Sequence, residues 1–472
     1  MTITKKNIAA TITVLIGWIL ALCISYVEFT TDLYNTMAQI GLMAVVSMGF
    51  TVVAILYAHK KKNAFFYFIL LSYFFSFGQS ILTLIGYTVP SNIAFSITNG
   101  YFSSEEYLSA ARFSVSAVAI VTLGYLFTHP NRHCYNTSKN DELYFKDRAL
   151  NVAWKLLFIS IVPTYYLLYQ DIIGVVTNGY GSTLVNASGI SKIFSIISGL
   201  FPSSILLIYA LEEKHRKGLF AIIATYFILQ LAGGSRIEVF RFLIMMLLIS
   251  DLYRKELTRK RWIIVIVIGI GAAFVFSLVS NIRTYIFITD DIVQMISNAA
   301  KDLAKKNFIF EAIKEMGNTQ ITNALVYTYC PSRVGYHYGF SLIQMLWGII
   351  PNFIGSAYTA ANGIDVVFSP LYTRTNAGIG ASFIAEGYWN LGYFSIVYYF
   401  MFGKLWAYLC NEFDSFCEGR KDNAMKFWVT LFVIYYMVFM VRSESLTFGR
   451  NLVYYAIIPV IICKTVIRKR KV

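Results

Sequence analysis

Three arginines lie at the ends of apolar stretches, where a guanidinium group can bind an anion. These are Arg236, Arg283 and Arg442, and Arg333 and Arg374 lie in the more polar segment between them. A guanidinium stays charged and can bind a phosphate group through two parallel hydrogen bonds. Arginines in such places also pair with carboxylates or reach towards lipid headgroups. Each arginine alone leaves these readings open, but the set favours a polyanion site.

A second group of candidate residues lies in the glycine-rich segment TNAGIGASFIAEGYWNLG, residues 375–392. If a helix begins within this segment, Glu386, Trp389 and Asn390 share one face. A carboxylate, an aromatic ring and an amide facing one cavity are suited to holding a sugar. Partial burial would raise the pKa of the carboxyl and make it a usable base. The alternative is that Glu386 simply interacts favourably with the N-terminal end of the helix dipole.

The cysteines and histidines show no pattern typical of a metal or redox site. The six cysteines include no CxxC pair, and His337 is the only one of five histidines outside the segments predicted to be cytoplasmic. We also find no DxD-like acidic cluster in the segments predicted to face outwards. The sequence therefore predicts no metal and no cofactor.

The elements that must position these residues are apolar stretches long enough to cross a membrane. The 472 residues are 57% hydrophobic and 14% charged, against about 25% charged in a soluble domain. Stretches of roughly 20 apolar residues span a bilayer, and their continuous hydrophobicity favours helices. We predict an all-α polytopic integral membrane protein with about twelve transmembrane helices, near 7–26, 36–58, 64–88, 108–128, 151–169, 191–211, 219–234, 237–253, 262–280, 384–409, 425–441 and 452–467.

The lysines and arginines predict the orientation of these helices. The net charge is +15, which in a soluble protein would suggest a nucleic-acid partner. Here most of the excess lies in short connections, as the positive-inside rule requires, so we predict no nucleic acid. The connections 27–35, 89–107 and 170–190 contain no lysine or arginine. We therefore place them outside and both termini in the cytoplasm.

One connection is far longer than the others and has internal order. Residues 292–303 and 308–316 repeat apolar side chains at helical spacing, with lysines between them. This pattern predicts amphipathic helices on the membrane surface or over a cavity. The apolar stretch 340–350 ends at Pro351 and is predicted to be a re-entrant or packed helix. The predicted division is nine transmembrane helices in 1–280, a large outer loop in 281–383 and three transmembrane helices in 384–472.

Several motifs resemble those of Wzy-type O-antigen and oligosaccharide repeat-unit polymerases. The segments YHYGFSLIQMLWGIIPNFIG, residues 336–355, and NAGIGASFIAEGYWNLGYFS, residues 376–395, follow that family's pattern. The pattern is a Gly-x-Ser/Thr element, an apolar stretch ending in proline, and Gly-x-Gly-x-Ser…Glu-x-Tyr-x-Asn-x-Gly entering a helix. GGSR at 233–236 and VRSESL at 441–446 resemble its arginine-bearing outer segments. The motifs cover roughly 233–460, and the topology fits nearly the whole chain.

The resemblance implies a GT-C-like architecture and glycosyl transfer at the outer leaflet of the inner membrane. A glycan on undecaprenyl diphosphate would move from its reducing end to a hydroxyl of the next lipid-linked repeat unit. Arginines would stabilise the departing diphosphate in place of a metal. Membrane lipids are further implied partners, and the resemblance leaves open whether a chain-length regulator protein is another. The implied roles are base for Glu386, His337 or Asp365, in that order; diphosphate binding for Arg236, Arg283, Arg442, Arg374 and Arg333; and sugar binding for Trp389, Asn390, Asn376 and Tyr388.

Two other functions remain open at this point. An O-antigen ligase shares the architecture and usually carries a histidine near the end of its long loop, where His337 lies. A flippase or transporter of lipid-linked oligosaccharides would also have many helices. It should place charges along a central cavity, whereas the helix centres here are nearly free of charge.

Overall fold

The computed structural model describes most of the chain, and its regular structure within that part is helical. The described residues are 5–27, 32–59, 62–128, 139–178, 190–233, 235–255, 257–285, 292–304, 307–350, 363–372, 379–417 and 424–468.

The chain divides into two compact units, each formed by segments distant in sequence. The first unit comprises Met1–Arg132, Ile313–Asn411 and Met437–Gly449, and the second comprises His133–Ala312, Glu412–Tyr436 and Arg450–Val472. Helices wholly within the first unit are Lys5–Ser25, Leu33–His59, Ala64–Leu84, Ser91–Thr98, Ser104–Leu126, Thr319–Tyr329, Phe340–Trp347, Ile364–Tyr372 and Phe383–Leu391. Those within the second are Lys139–Asn178, Ile190–Ser198, Leu200–Leu211, Arg216–Ala232, Arg236–Leu248, Arg259–Tyr285, Ile292–Ala304 and Ile458–Arg468. Helices that run across a boundary are Phe308–Met316, Ser395–Cys417, Ala424–Val438 and Phe448–Leu452.

Eight helical segments in the described residues are long and apolar enough to cross a membrane. They are Lys5–Ser25, Leu33–His59, Ala64–Leu84, Ser104–Leu126, Lys146–Gly174, Ile193–Leu211, Ala424–Val441 and Ser445–Thr465. The polytopic all-α prediction is confirmed, whereas a total of twelve spans stays a prediction. The predicted span at 219–234 forms the 17-residue helix Arg216–Ala232, and the one at 237–253 forms the helix Arg236–Leu248, which continues as the π-helix Ile249–Tyr253. Neither segment is among the eight candidate spans.

Local sequence signals explain where the helix Ser104–Leu126 begins and how closely it packs against another helix. Ser103 and Glu106 form a reciprocal capping box that starts the helix Ser104–Leu126. Further along that helix, a Cβ on Gly124 would lie 2.1 Å from the carbonyl oxygen of Phe400. The missing side chain therefore allows the backbones of two helices to meet, as is common in membrane proteins.

The long connection between the ninth and tenth predicted spans contains the helices that its periodicity predicted. Ile292–Ala304 and Phe308–Met316 confirm the two amphipathic segments, and Phe340–Trp347 is a short helix of eight residues. The predicted helix at 384–409 is instead divided at Gly392, whose φ of +55° suits glycine. A Cβ there would lie 2.8 Å from the Tyr336 ring, so glycine also makes room for that side chain.

Candidate active site

Among the predicted site residues that the structure describes, Glu386 is the most deeply buried. Both of its carboxylate oxygens accept hydrogen bonds from two serines. It lies in the short helix Phe383–Leu391, which is not among the eight candidate spans, and is 1% exposed. Its Oε1 accepts hydrogen bonds from the hydroxyls of Ser341, at 2.9 Å, and Ser445. Its Oε2 accepts from the backbone N–H of Ser445 at 2.9 Å. Burial raises the pKa of Glu386, and these hydrogen bonds partly oppose the effect.

The helix that carries Glu386 is held by its own polar side chains. Ser382 caps it by accepting from the N–H of Ala385 at 3.0 Å. One turn after Glu386, the Asn390 amide donates to the Glu386 carbonyl and to the Ser341 hydroxyl, both at 2.8 Å. Glu386 and Asn390 therefore share a face, as predicted, and both connect this helix to Phe340–Trp347.

Asp365 lies near Arg442 in the same unit and retains an oxygen that can accept a proton. Its Oδ1 is buried and has no hydrogen-bond partner among the described residues. Burial raises the pKa of Asp365, while the nearby backbone N–H groups of Gly380 and Ile379 and the positive charge of Arg442 act against it. Gly380 has a φ of +78°, and a Cβ there would lie 3.7 Å from the Arg442 side chain. The glycine-rich segment thus passes close to both charged groups.

Glu444 adds a third carboxyl next to Asp365. Its Oε2 accepts from the backbone N–H of Ile364 at 2.8 Å. A Cβ on Gly363 would lie 2.3 Å from Glu444 Oε1, so in this position the carboxyl packs directly against the glycine. Burial and the nearby charges of Glu386 and Asp365 raise the pKa of Glu444 to about 8. At neutral pH Glu444 is therefore mostly protonated. We call Asp365, Glu386, Glu444 and Arg442 the acidic site.

His337 and Trp389 stack against each other in the same unit. Their ring centroids are 4.2 Å apart at an interplanar angle of 24°, and the backbone N–H of His337 donates to the Trp389 carbonyl at 2.8 Å. Burial lowers the pKa of His337, which favours the neutral imidazole. Phe368, from the helix that carries Asp365, packs edge-on against Trp389 at 5.7 Å. The stack therefore lies beside the acidic site.

The remaining predicted residues have four different placements. Tyr388 is 4% exposed and packs among aromatic side chains, with Phe113 and Tyr327 within 5 Å between ring centroids. Arg333 is exposed and lies 4.5 Å over the Tyr329 ring. Arg236 begins the helix Arg236–Leu248 in the second unit. Arg374, Asn376 and the side chain of Arg283 lie outside the described residues.

Sequence reasoning did not select Ser341, Ser445 or Glu444 as site residues. Ser445 and Glu444 belong to VRSESL, which was noted for its arginine, and Ser341 to the Gly-x-Ser element. These two motifs were therefore the only sign in the sequence that Ser341, Ser445 and Glu444 belong to the site. The partnership of both serines with Glu386 was not readable, because they lie 45 and 59 residues from it.

Comparison with known proteins assigns the class that these features define. The family model for the O-antigen polysaccharide polymerase Wzy matches residues 7–471, nearly the whole chain. No curated protein and no solved structure gave a significant match.

The chain belongs to the Wzy family of O-antigen polysaccharide polymerases. This confirms the resemblance drawn from the motifs. Membership supports repeat-unit polymerisation, a glycosyltransferase-type reaction of polysaccharide biosynthesis. Together with the apolar helices, it identifies an integral membrane protein.

Proposed function

We propose that the protein polymerises oligosaccharide repeat units linked to undecaprenyl diphosphate, on the outer leaflet of the cytoplasmic membrane. Both termini face the cytoplasm, and the acidic site faces outwards. The growing glycan is transferred as a block to a hydroxyl of the incoming repeat unit. The glycosyl C–O bond to the lipid diphosphate breaks, a new glycosidic C–O bond forms, and the hydroxyl proton passes to a base.

The observation that carries this proposal is Asp365 close to Arg442. The buried Oδ1 of Asp365 lacks a hydrogen-bond partner within the described segments and can accept the proton of the acceptor hydroxyl. The positive charge of Arg442 lies close enough to affect the pKa of Asp365. It can stabilise the negative charge that develops on the departing diphosphate. A base and a cation in one place are what this transfer requires.

Glu386 acts in this scheme as a positioning residue. Three hydrogen bonds from Ser341 and Ser445 occupy both of its oxygens, which leaves it poorly placed to take a proton from a substrate. The same bonds fix the segment that follows Arg442. We therefore rank Asp365 ahead of Glu386 as the base. The His337 ring is stacked on Trp389, and we assign it to sugar binding on this packing.

The glycan ladder of a deletion strain tests the function. We expect single repeat units in the deletion strain and long chains after complementation with the wild-type gene. Complementation with Arg442→Ala should leave the protein in the membrane but restore few long chains. Arg259→Ala is the matched control, because it removes an exposed arginine from the predicted cytoplasmic side and should restore the full ladder.

Other outcomes separate the competing functions. Long polymer accumulating on the carrier lipid of the deletion strain would indicate a ligase. Translocation of a labelled lipid-linked glycan in vesicles, without formation of a new bond, would indicate a flippase. The proposed chemistry uses arginine in place of a metal, so polymerisation in purified vesicles should persist in excess chelator. Abolition by chelator, with recovery on adding a divalent cation, would contradict that part.

A further inference from the structure

Beside the acidic site lies a group of buried polar atoms whose hydrogen bonds are not made. They belong to Gln344, Trp389 and His337, and we call these three residues the glutamine subsite. The Nε2 and Oε1 of Gln344, the Nε1 of Trp389 and the Nε2 of His337 are buried without a partner among the described residues. Gln344 is 0% and Trp389 2% exposed. Unpaired buried polar groups are costly in folded proteins, and four of the fifteen such side-chain atoms in the described residues belong to these three neighbouring side chains.

The backbone holds these side chains together. Tyr338 and Gly339 have φ values of +50° and +79°, and this turn leads directly from His337 into the helix Phe340–Trp347. Gln344 follows Ser341 by three residues on that helix, which puts both on one face. Because Ser341 is fixed to Glu386 at 2.9 Å, the face that carries Gln344 is directed towards the helix of Trp389.

The Gln344 amide lies beside the imidazole of His337 but does not meet hydrogen-bond geometry with it. Burial lowers the pKa of His337, and the neighbouring amide only partly offsets this. The amide and indole atoms carry no charge, and burial favours the neutral imidazole. Among them, the glutamine Nε2 and the indole Nε1 donate, the glutamine Oε1 accepts, and the imidazole Nε2 does either according to its tautomer.

This combination suits one class of ligand. A neutral sugar presents hydroxyl or acetamido groups that both donate and accept hydrogen bonds, together with an apolar ring face. The aromatic surroundings of the glutamine subsite match that apolar face, since Phe368 and Phe340 pack edge-on against Trp389 and His337 at 5.7 and 5.4 Å. A phosphate or a uronic acid would instead be served by cationic donors.

We propose that Gln344, with the indole N–H of Trp389 and the Nε2 of His337, binds an uncharged sugar residue of the glycan beside the acidic site. This inference rests on the proposed function and names the part of the substrate held there. The sugar would supply the missing hydrogen bonds and orient an acceptor hydroxyl towards Asp365. Gln344 would thus determine which sugar is accepted, because a site built to hydrogen-bond a hydroxyl or amide rejects analogues lacking it.

Saturation-transfer NMR on the detergent-solubilised full-length protein tests the proposal. The probe is the free repeat-unit oligosaccharide, released by mild acid from the carrier lipid of the host strain. Wild-type protein should transfer saturation to the ring protons of one sugar. In Gln344→Leu this signal should fall about tenfold, and the KM for the lipid-linked unit should rise by a similar factor, with a smaller change in kcat.

Gln39→Leu is the matched control, because Gln39 is also buried but its Nε2 donates to the carbonyls of Ile24 and Val27 at 2.8 and 3.0 Å. Removing that satisfied amide should lower the thermal midpoint and leave glycan binding unchanged. Removing the unpaired amide of Gln344 should leave the midpoint unchanged or raise it. Gln39→Leu should therefore lower stability and leave binding unchanged, whereas Gln344→Leu should weaken binding and not lower stability.

If Gln344→Leu does not fold, Trp389→Phe is the substitute test variant. It keeps an aromatic ring at this position and removes the indole donor. It should also weaken the saturation transfer. An absent wild-type signal, or a signal that survives in both variants, would overturn the subsite. So would a fall in the midpoint of Gln344→Leu equal to that of Gln39→Leu with binding retained.

The two proposals fail in different ways. If the wild-type protein binds the free glycan but the deletion strain still makes long chains, the polymerase proposal fails and the subsite stands. If the deletion strain makes only single repeats but Gln344→Leu binds glycan like the wild type, the subsite fails and the polymerase proposal stands.

Discussion

The two units each hold charged or polar side chains that are at least partly shielded from solvent, but they pair these side chains differently. In the second unit, Arg241 pairs with Glu238 Oε1 at 3.2 Å, and the other Glu238 oxygen accepts from the Tyr435 hydroxyl at 3.1 Å. The rings of Tyr435 and Tyr436 lie 5.2 and 5.4 Å from the Arg241 guanidinium. In the first unit, Asp365 and Gln344 keep buried polar atoms without partners in the described residues.

We interpret the paired side chains of the second unit as structural and the unpaired polar atoms of Asp365 and Gln344 as functional. A charged group held in an ion pair, as Arg241 is by Glu238, contributes order, and breaking the pair leaves an uncompensated charge. A buried polar group that lacks its partner is a cost in the free protein, and a ligand can remove that cost. The acidic site and the glutamine subsite show the second arrangement, so we expect substitutions there to change activity more than stability.

The largest expected effect is on catalysis by Asp365. Asp365→Asn keeps the size of the side chain but removes its capacity to take the proton, so the polymerisation rate should fall at least about 100-fold. Its thermal midpoint should change little. The rate is measured with lipid-linked repeat units in proteoliposomes, and the midpoint by thermal unfolding in detergent. A variant that polymerises normally would remove Asp365 from the mechanism and return Glu386 to first place.

The next effect should appear in stability alone. Arg241→Leu leaves Glu238 without its cation, and because Glu238 is about one-third exposed we expect a loss of about 2 kcal/mol in the free energy of unfolding. The double variant with Glu238→Leu should recover most of this loss, because both charges are then absent. A double variant no more stable than Arg241→Leu would show that the pair is not the stabilising unit.

The smallest effect concerns the pH dependence of stability. The pKa of Glu444 is raised from an ordinary value of about 4.3 to about 8. The folded state therefore binds more protons between these values, and stability should fall as the pH rises from about 5 to 8. Asp365 and Glu386, whose pKa values are also raised, act in the same direction.

Glu444→Gln should flatten this dependence, since the amide oxygen can still accept from the N–H of Ile364 without titrating. Thermal midpoints of the two proteins at pH 5, 6, 7 and 8 provide the measurement. Identical slopes would show that Glu444 does not hold the proton.

The sequence allowed the helical class and the amphipathic helices to be predicted, because both depend on local periodicity. It also indicated Glu386 and Asn390 on one face, which depends only on helical spacing. It did not indicate that Glu386 would be closed off by Ser341 and Ser445. Serines are unremarkable in apolar helices, and a hydrogen bond across 59 residues leaves no local pattern. Nor did it indicate the break at Gly392, because the apolar character continues through it.

The hydrogen bonds between Glu386 and Ser445 also determine when the site can form during synthesis of the chain. Ser445 opens the last candidate span, so a ribosome that has released Glu386 must still add 59 residues before this partner exists. Until then the carboxyl must be hydrated or protonated, since a charged and unpartnered carboxylate is poorly tolerated in an apolar interior. The site thus forms only after the 59 residues that follow Glu386 have been added. A chain stopped just before Ser445 would have made seven of the eight candidate spans and still lack the contact that positions its chemistry.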